Sequence, residues 1–290
     1  MSAQPEVAGF YDARSGSIQY VVSCKATKKC AIIDPVLDYD EKSGSTATRH
    51  ADALLSHIQM QGLDVAWILD THPHADHLTA AAYLKSKTGA PTAIGADVVK
   101  VQVLWKDIYN APAMPTDGSQ WDRLFSDGDR FMIGEIEGRV MHSPGHTLAS
   151  ITYLVGDATF IHDTLFMPDS GSARADFPGG SAEDLWSSIE AILNLPDDTR
   201  LFTGHDYRHG GREALWESTV AQQKAQNIHL RSGRDEFIQS RISRDKTLPF
   251  PKLMLHALQV NLMAGELPPK EANGVRYLKI PIDAFPVAAW

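Results

Sequence analysis

Short β-rich runs and longer helical stripes alternate along this chain. Ser17–Val22 and Cys30–Ile33 flank the polar turn Lys25–Lys29, which predicts a hairpin whose second strand ends at Asp34-Pro35. From about Thr48, the apolar residues Ala51, Leu54, Leu55 and Ile58 share one helical face, and Gly62 supplies the stop. Val65–Asp70 has the length and apolarity of a buried strand, and Leu78–Lys87 reads as the helix after it. A strand over Pro91–Ile94, a helix over Asp97–Ile108 and a Pro-rich loop over Asn110–Gly118 follow.

A second β-rich half starts near Phe125, with strands over Arg130–Ile133, Gly138–Met141, Ser150–Val155 and Thr159–Ile161. Ser181 caps a helix over Ala182–Leu195, with Asp184 placed close to a capping box, and Leu201–Thr203 is a further strand. From Trp216 to about Arg244 the tail reads as helical. Leu248-Pro249-Phe250-Pro251 then breaks it before a last helix over Met254–Met263. This order, hairpin–helix–strand followed by strands and helix, predicts an α/β protein of αββα sandwich type. No internal repeat or low-complexity linker divides residues 1–290, so one domain is expected, with the helical part 216–290 packed beside the active site.

Composition narrows the function classes. The 290 residues are 43% hydrophobic and 22% charged, as in ordinary globular proteins. A formal net charge of -9 argues against general affinity for nucleic acid or anionic membrane. The N-terminal residues show neither export nor transit character, and no window holds the ~18 apolar residues of a membrane helix, so a cytoplasmic location is expected. The two cysteines, Cys24 and Cys30, flank the hairpin turn and could face each other across it; reduced thiols are the expectation.

The chemistry gathers at the predicted strand ends. Thr71-His72-Pro73-His74-Ala75-Asp76-His77 packs three imidazoles and a carboxylate directly after the buried strand, where α/β folds place their sites. An isolated histidine is most simply a polar loop residue, but four donors at this spacing define a metal loop of the kind that holds zinc or iron. Further donors follow later strands: His146 in Ser143-Pro144-Gly145-His146-Thr147, Asp163 after Phe160-Ile161-His162, and His205 in Thr203-Gly204-His205-Asp206-Tyr207. His162 and Asp163, adjacent on extended chain, point to opposite sides and should not share a metal. His50, His57, His142, His209, His229 and His256 carry no assigned role.

These segments, spanning residues 72–205, resemble the metallo-β-lactamase superfamily, whose fold is the αββα sandwich. Within it, the chain most resembles the persulfide dioxygenases (sulfur dioxygenases), the group that includes the ethylmalonic encephalopathy protein. Three features carry this: Tyr20-Val21-Val22 with Ala31–Val36, the segment Ser172-Ala173-Arg174-Ala175-Asp176-Phe177, and the tail from Leu248 to Lys252. The resemblance implies one Fe(II) per chain held by His72, His146 and Asp163 as the catalytic centre, two imidazoles and a carboxylate with open positions. It implies a dioxygenase that converts glutathione persulfide and O2 to sulfite and glutathione. Arg174 and Tyr207 are expected to contact the tripeptide, and Arg208 and Arg212 to add charge near the same mouth or simply to be solvated. A homodimer is the expected assembly, since relatives are often dimers.

His74, Asp76, His77 and His205 are then hydrogen-bond partners that orient the ligands, or ligands of a latent second metal. In the second role, with Asp163 as the bridge, the protein is a glyoxalase II-like dinuclear thioester hydrolase acting on S-acylglutathione. A non-catalytic glutathione or persulfide sensor would carry a broken ligand set, whereas this set is intact. A lactamase is disfavoured by the lack of an export signal, and a nuclease by the acidic balance.

Overall fold

The computed structural model describes residues 4–285. In chain order its elements are β1 (Glu6–Tyr11), β2 (Ile18–Ser23), β3 (Lys29–Ile33), β4 (Val36–Asp40), β5 (Ser45–Ala47), α1 (Arg49–Gln61), β6 (Asp64–Leu69), β7 (Leu78–Thr79), α2 (Ala81–Thr88), β8 (Thr92–Gly95), α3 (Val98–Ile108) and β9 (Arg123–Phe125). The second half contains β10 (Arg130–Ile133), β11 (Ile136–His142), β12 (Ile151–Val155), β13 (Ala158–His162), α4 (Ala182–Leu193), β14 (Arg200–Thr203), β15 (Glu217–Thr219), α5 (Val220–Gln226), α6 (Arg234–Asp245) and α7 (Met254–Asn261).

Two six-stranded sheets stack face to face, in the orders β1-β2-β3-β6-β8-β9 and β10-β11-β12-β13-β14-β15. In each, antiparallel strands lead into a parallel pair or run: β3, β6, β8 and β9 in the first, β13 and β14 in the second. The inner faces build one apolar layer in which Ile18, Tyr20, Ile33 and Phe125 of the first sheet meet Ile133, Tyr153, Phe160 and Phe202 of the second. The outer face of the first sheet packs on α1, α2 and α7, and Ile161 and Leu201 of the second pack under α4, α5 and α6. These layers are the expected αββα sandwich.

Two buried tyrosines cross between the sheets in opposite senses. Tyr20 of β2 donates its hydroxyl to the carbonyl of Thr203 at the end of β14, and Tyr153 of β12 donates to the carbonyl of Asp70 just past β6, at 2.9 Å. Each hydroxyl satisfies a buried carbonyl beside a metal-loop segment, where an unpaired group would cost ~1–3 kcal/mol.

Several local expectations need correction. Leu78 and Thr79 do not open a helix: they pair with Val36 and Leu37, and α2 begins only at Ala81. Asn261 enforces this by accepting from the Thr79 amide and donating to the carbonyls of His74 and His77. The tail is not helical from Trp216. Glu217–Thr219 pairs with β14, Thr219 and Gln222 then form a capping box that starts α5, and Asn227–Gly233 separates α5 from α6. His229 therefore lies in this break and not in a helix. Cys24 and Cys30 do not face each other: the first sits in the inter-sheet core, the second on the opposite face under α1, and both are buried free thiols.

Candidate metal centre and substrate cavity

The parallel strands β3, β6, β13 and β14 all end at one edge of the sandwich, and the loops after them carry Asp34, His72, Asp163 and His205. His146 reaches the same place from the loop between β11 and β12. Gly145 makes this turn possible: it has φ +126°, and a Cβ there would lie 2.2 Å from the backbone nitrogen of Leu185 in α4. Asp163 is aimed by a bulge in which the β13–β14 register skips Ile161 and His162 takes a left-handed φ of 40°. Gly204 leaves room for the carboxylate, since a Cβ would stand 2.6 Å from Asp163 Oδ1.

His72, His146 and Asp163 each offer a donor atom, and the three atoms lie within 4.8 Å of one another in a buried cluster. His146 Nε2 is 3.5 Å and His72 Nε2 4.0 Å from Asp163 Oδ2. The hydrogen bonds settle which ring nitrogens are free. Thr71 Oγ1 gives its one proton to Asp34 Oδ2 at 2.9 Å, so the 3.0 Å contact between Thr71 Oγ1 and His72 Nδ1 has the ring donating. His146 Nδ1 donates to the carbonyl of Arg174 at 2.9 Å. Both Nε2 lone pairs therefore face Asp163, and His72 Nε2 is buried with no protein partner. Burial, followed by the neighbouring imidazoles, holds His72 neutral, as a ligand must be. Asp163 is ionised: burial opposes this, but His205 overrides it and brings the carboxyl down to about 2.

The other four donors take different positions. His205 stands between two carboxylates, with Nδ1 2.6 Å from Asp163 Oδ1 and Nε2 2.8 Å from Asp76 Oδ2, and Ser17 also donates to Asp76. Burial disfavours a proton on His205, yet the flanking carboxylates Asp163 and Asp76 push its value well up. His74 Nε2 lies 3.0 Å from Asp34 Oδ1, an ion-pair distance without hydrogen-bond alignment. Burial is again outweighed by that carboxylate, which raises the ring to about 9. His77 donates Nδ1 to the carbonyl of Leu78, leaving a buried Nε2 without a partner. Donor atoms of His74, Asp76 and His77 also fall within 4.8 Å of one another, as do those of Asp34, Asp70 and His74.

A cavity of about 490 Å³ opens onto Asp76, His146, Asp163 and His205. Its apolar wall comes from Phe166, Phe177, Leu248, Pro249 and Phe250, so the Pro-rich segment between α6 and α7 lies directly against the site. Tyr207 lines the cavity and stacks on His205, with centroids 5.6 Å apart and planes at 12°. Arg174 lines it too, but its guanidinium is already engaged by Asp176 at 2.6 and 2.8 Å and by the carbonyl of Pro249. Arg212 is outside the lining, clamped between Asp169 and Asp206, and Arg208 donates to the carbonyl of Arg212.

Sequence reasoning missed Arg14, Arg241, Arg244 and Lys252, which line the cavity with Arg174. In a chain of net charge -9, this mouth presents five cationic side chains beside the two carboxylates Asp76 and Asp163. Their long separation in sequence hid them. Arg241 is buried and paired with Asp245 at 2.7 Å, whereas Arg244 is exposed and has no acidic partner among the described residues.

The metallo-beta-lactamase superfamily model matches residues 15–205, and this chain belongs to that superfamily. Over 99% of its length it is 67% identical to the beta-lactamase hydrolase-like protein of Xylella fastidiosa (strain Temecula1), covering 67% of that relative. It is 46% identical to glyoxylase B2 of Dictyostelium discoideum, over 98% of this chain and 99% of the relative. It is 29% identical to mouse (Mus musculus) persulfide dioxygenase ETHE1, over 89% of each. Among solved structures, the crystal structure of ETHE1 from Myxococcus xanthus superposes with a TM-score of 0.72 at 29% identity, covering 90% of this chain and all of that one. The superfamily match and the clustered His and Asp donors together point to a metal ion at this site. No helix among the described residues is long and apolar enough to cross a membrane.

Proposed function

We propose that the protein is a mononuclear Fe(II) dioxygenase that oxidises the terminal sulfur of glutathione persulfide. The observation that carries this reading is the separation of the donors: His72 Nε2, His146 Nε2 and Asp163 Oδ2 converge, while His74 is turned to Asp34 and His205 is held between Asp163 and Asp76. Two imidazoles and a carboxylate form the facial triad of non-haem iron oxygenases. The orphaned Nε2 of His72 fits a metal, because a buried ring nitrogen is rarely left without a partner. Fe(II) held by His72, His146 and Asp163 would supply the redox chemistry that activates O2 toward the persulfide sulfur.

The remaining work falls to the chain. The wall of Phe166, Phe177 and Phe250 gives the persulfide an apolar surround, and the cationic mouth binds the two carboxylates of the tripeptide. Arg174 and Tyr207 are assigned to that contact, Arg174 by exchanging one of its tail carbonyls for substrate. One persulfide, one O2 and one water give one glutathione, one sulfite and two protons. The superposition on the Myxococcus xanthus structure and the name of the mouse relative support this assignment.

A second reading is favoured by one observation: donor atoms of His74, Asp76 and His77 lie within 4.8 Å of one another and could hold a second ion, with Asp163 as the bridge that the family resemblance implies. The chain would then be a dinuclear S-acylglutathione hydrolase, in keeping with the name of the Dictyostelium relative. Oxygen uptake with glutathione persulfide by Fe(II)-loaded protein, measured alongside metal content, decides between them. Sulfite formation at one iron per chain supports the dioxygenase. Two metals with hydrolysis of S-lactoylglutathione and no oxygen uptake would replace it with the hydrolase.

A further inference from the structure

We infer that Asp34 is the positioning residue that selects which imidazole of the His72/His74 pair serves as a ligand. This rests on the mononuclear reading above. His72 and His74 alternate on one loop, with ring centroids only 4.1 Å apart, so both could reach a metal at this place. A single buried carboxylate treats them in opposite ways. Asp34 Oδ2 accepts from the Thr71 hydroxyl, which forces His72 to donate through Nδ1 and leaves its Nε2 lone pair on the triad. Asp34 Oδ1 accepts from the Thr71 amide at 2.7 Å and stands 3.0 Å from His74 Nε2, drawing that ring off the triad. Asp70 lies on the same side: donor atoms of Asp34, Asp70 and His74 fall within 4.8 Å of one another.

The carboxylate itself is held rigidly. Asp34 ends β3 with a left-handed φ of 51°, its amide donates to the carbonyl of Leu69 at 2.9 Å, and the residue is buried. The device thus ties the end of β3 to the end of β6, and the coordination number at the triad follows from the junction of these two parallel strands. His74 Nε2 makes no aligned hydrogen bond to Asp34, so the hold on the ring is the ion-pair contact alone, and with Asp34 removed the ring becomes available as a third imidazole.

Cobalt(II) is the probe, since its visible bands move to higher energy when an imidazole nitrogen replaces an oxygen donor and gain severalfold intensity only when the coordination number drops. The wild-type 290-residue chain should bind one Co(II), and its band positions serve as the reference. Asp34→Ala should shift the bands to higher energy, and Asp34→Ala/His74→Ala should return them to the wild-type positions. A folded Asp34→Ala protein with the wild-type spectrum would overturn the inference. His74→Ala alone should leave the wild-type spectrum and stoichiometry unchanged; a changed spectrum would show that His74 is already a ligand and overturn the inference even if Asp34→Ala does not fold. Two Co(II) per wild-type chain would instead overturn the mononuclear reading, and the Asp34 inference with it.

Discussion

The carbonyl of Arg174 accepts the Nδ1 proton of His146, so a backbone atom of the cavity wall sets the tautomer of a candidate ligand. The loop that presents this carbonyl is itself clamped by α6. Asp245 Oδ2 accepts from the Ala175 amide at 2.9 Å, Arg241 Nη1 donates to the carbonyl of Ser172 at 3.1 Å, and Arg241 and Asp245 pair with each other. Asp245→Ala should therefore do two things. Leaving Arg241 buried and unpaired should cost ~3–5 kcal/mol of stability, seen by denaturant unfolding. Loosening the His146 support should weaken metal affinity by about 10–100-fold, seen by competitive chelator titration. Unchanged affinity in the destabilised variant would reduce the clamp to a purely structural role.

His72→Ala and Asp163→Ala should each abolish stoichiometric metal binding and oxygen uptake while the far-UV circular dichroism stays native. The donors sit in loops past the ends of β6 and β13, so their removal leaves the sheets paired. Activity retained in either variant would remove that residue from the ligand set.

Arg174→Ala separates the two functions of that residue. The carbonyl that orients His146 remains, and only the guanidinium at the cavity is lost. Loss of a charge-assisted contact to a remote carboxylate should raise KM for glutathione persulfide by about tenfold with kcat little changed. Equal loss in kcat and kcat/KM would instead place the side chain at the reacting centre.

His229 makes stability sensitive to acid. Its Nδ1 accepts from the Ser172 amide at 2.9 Å, and burial, then Arg241 and Arg244, lower the ring to about 4. The folded protein thus resists a proton that the unfolded chain takes up near pH ~6.5. Its contribution is complete above that pH and drains away as pH falls toward about 4. Melting temperature should drop more steeply across this window in wild type than in His229→Gln, whose amide oxygen can still accept from Ser172. Parallel curves would rule His229 out as the acid-sensitive group.

Much of this was legible in the sequence because it depends on local spacing. The metal loop from His72 to His77, the Pro-Gly turn before His146 and the strand-end position of Asp163 are short-range patterns, and they come together in space as the αββα order requires. What stayed hidden depends on distant partners. Asn261 remodels Leu78-Thr79 from 182 residues away, overriding an apolar stretch that reads as helix. Asp34 reads as a strand terminator, and only the junction of β3 with β6 puts its carboxylate against Thr71 and His74. The break at Asn227–Gly233 was masked by polar residues compatible with helix, although Asn227 and Gly233 flank it.

The opposed tyrosines have a further consequence. Tyr20 braces the end of β14 from the first sheet, and Tyr153 braces the end of β6 from the second, so each half of the chain carries a strut for the other half's loop. The arrangement works like an arch, in which neither side stands until both lean together. Cut between β9 and β10 and expressed as separate pieces, neither fragment should hold its own donors in place, and metal capture should return only when the two pieces are mixed.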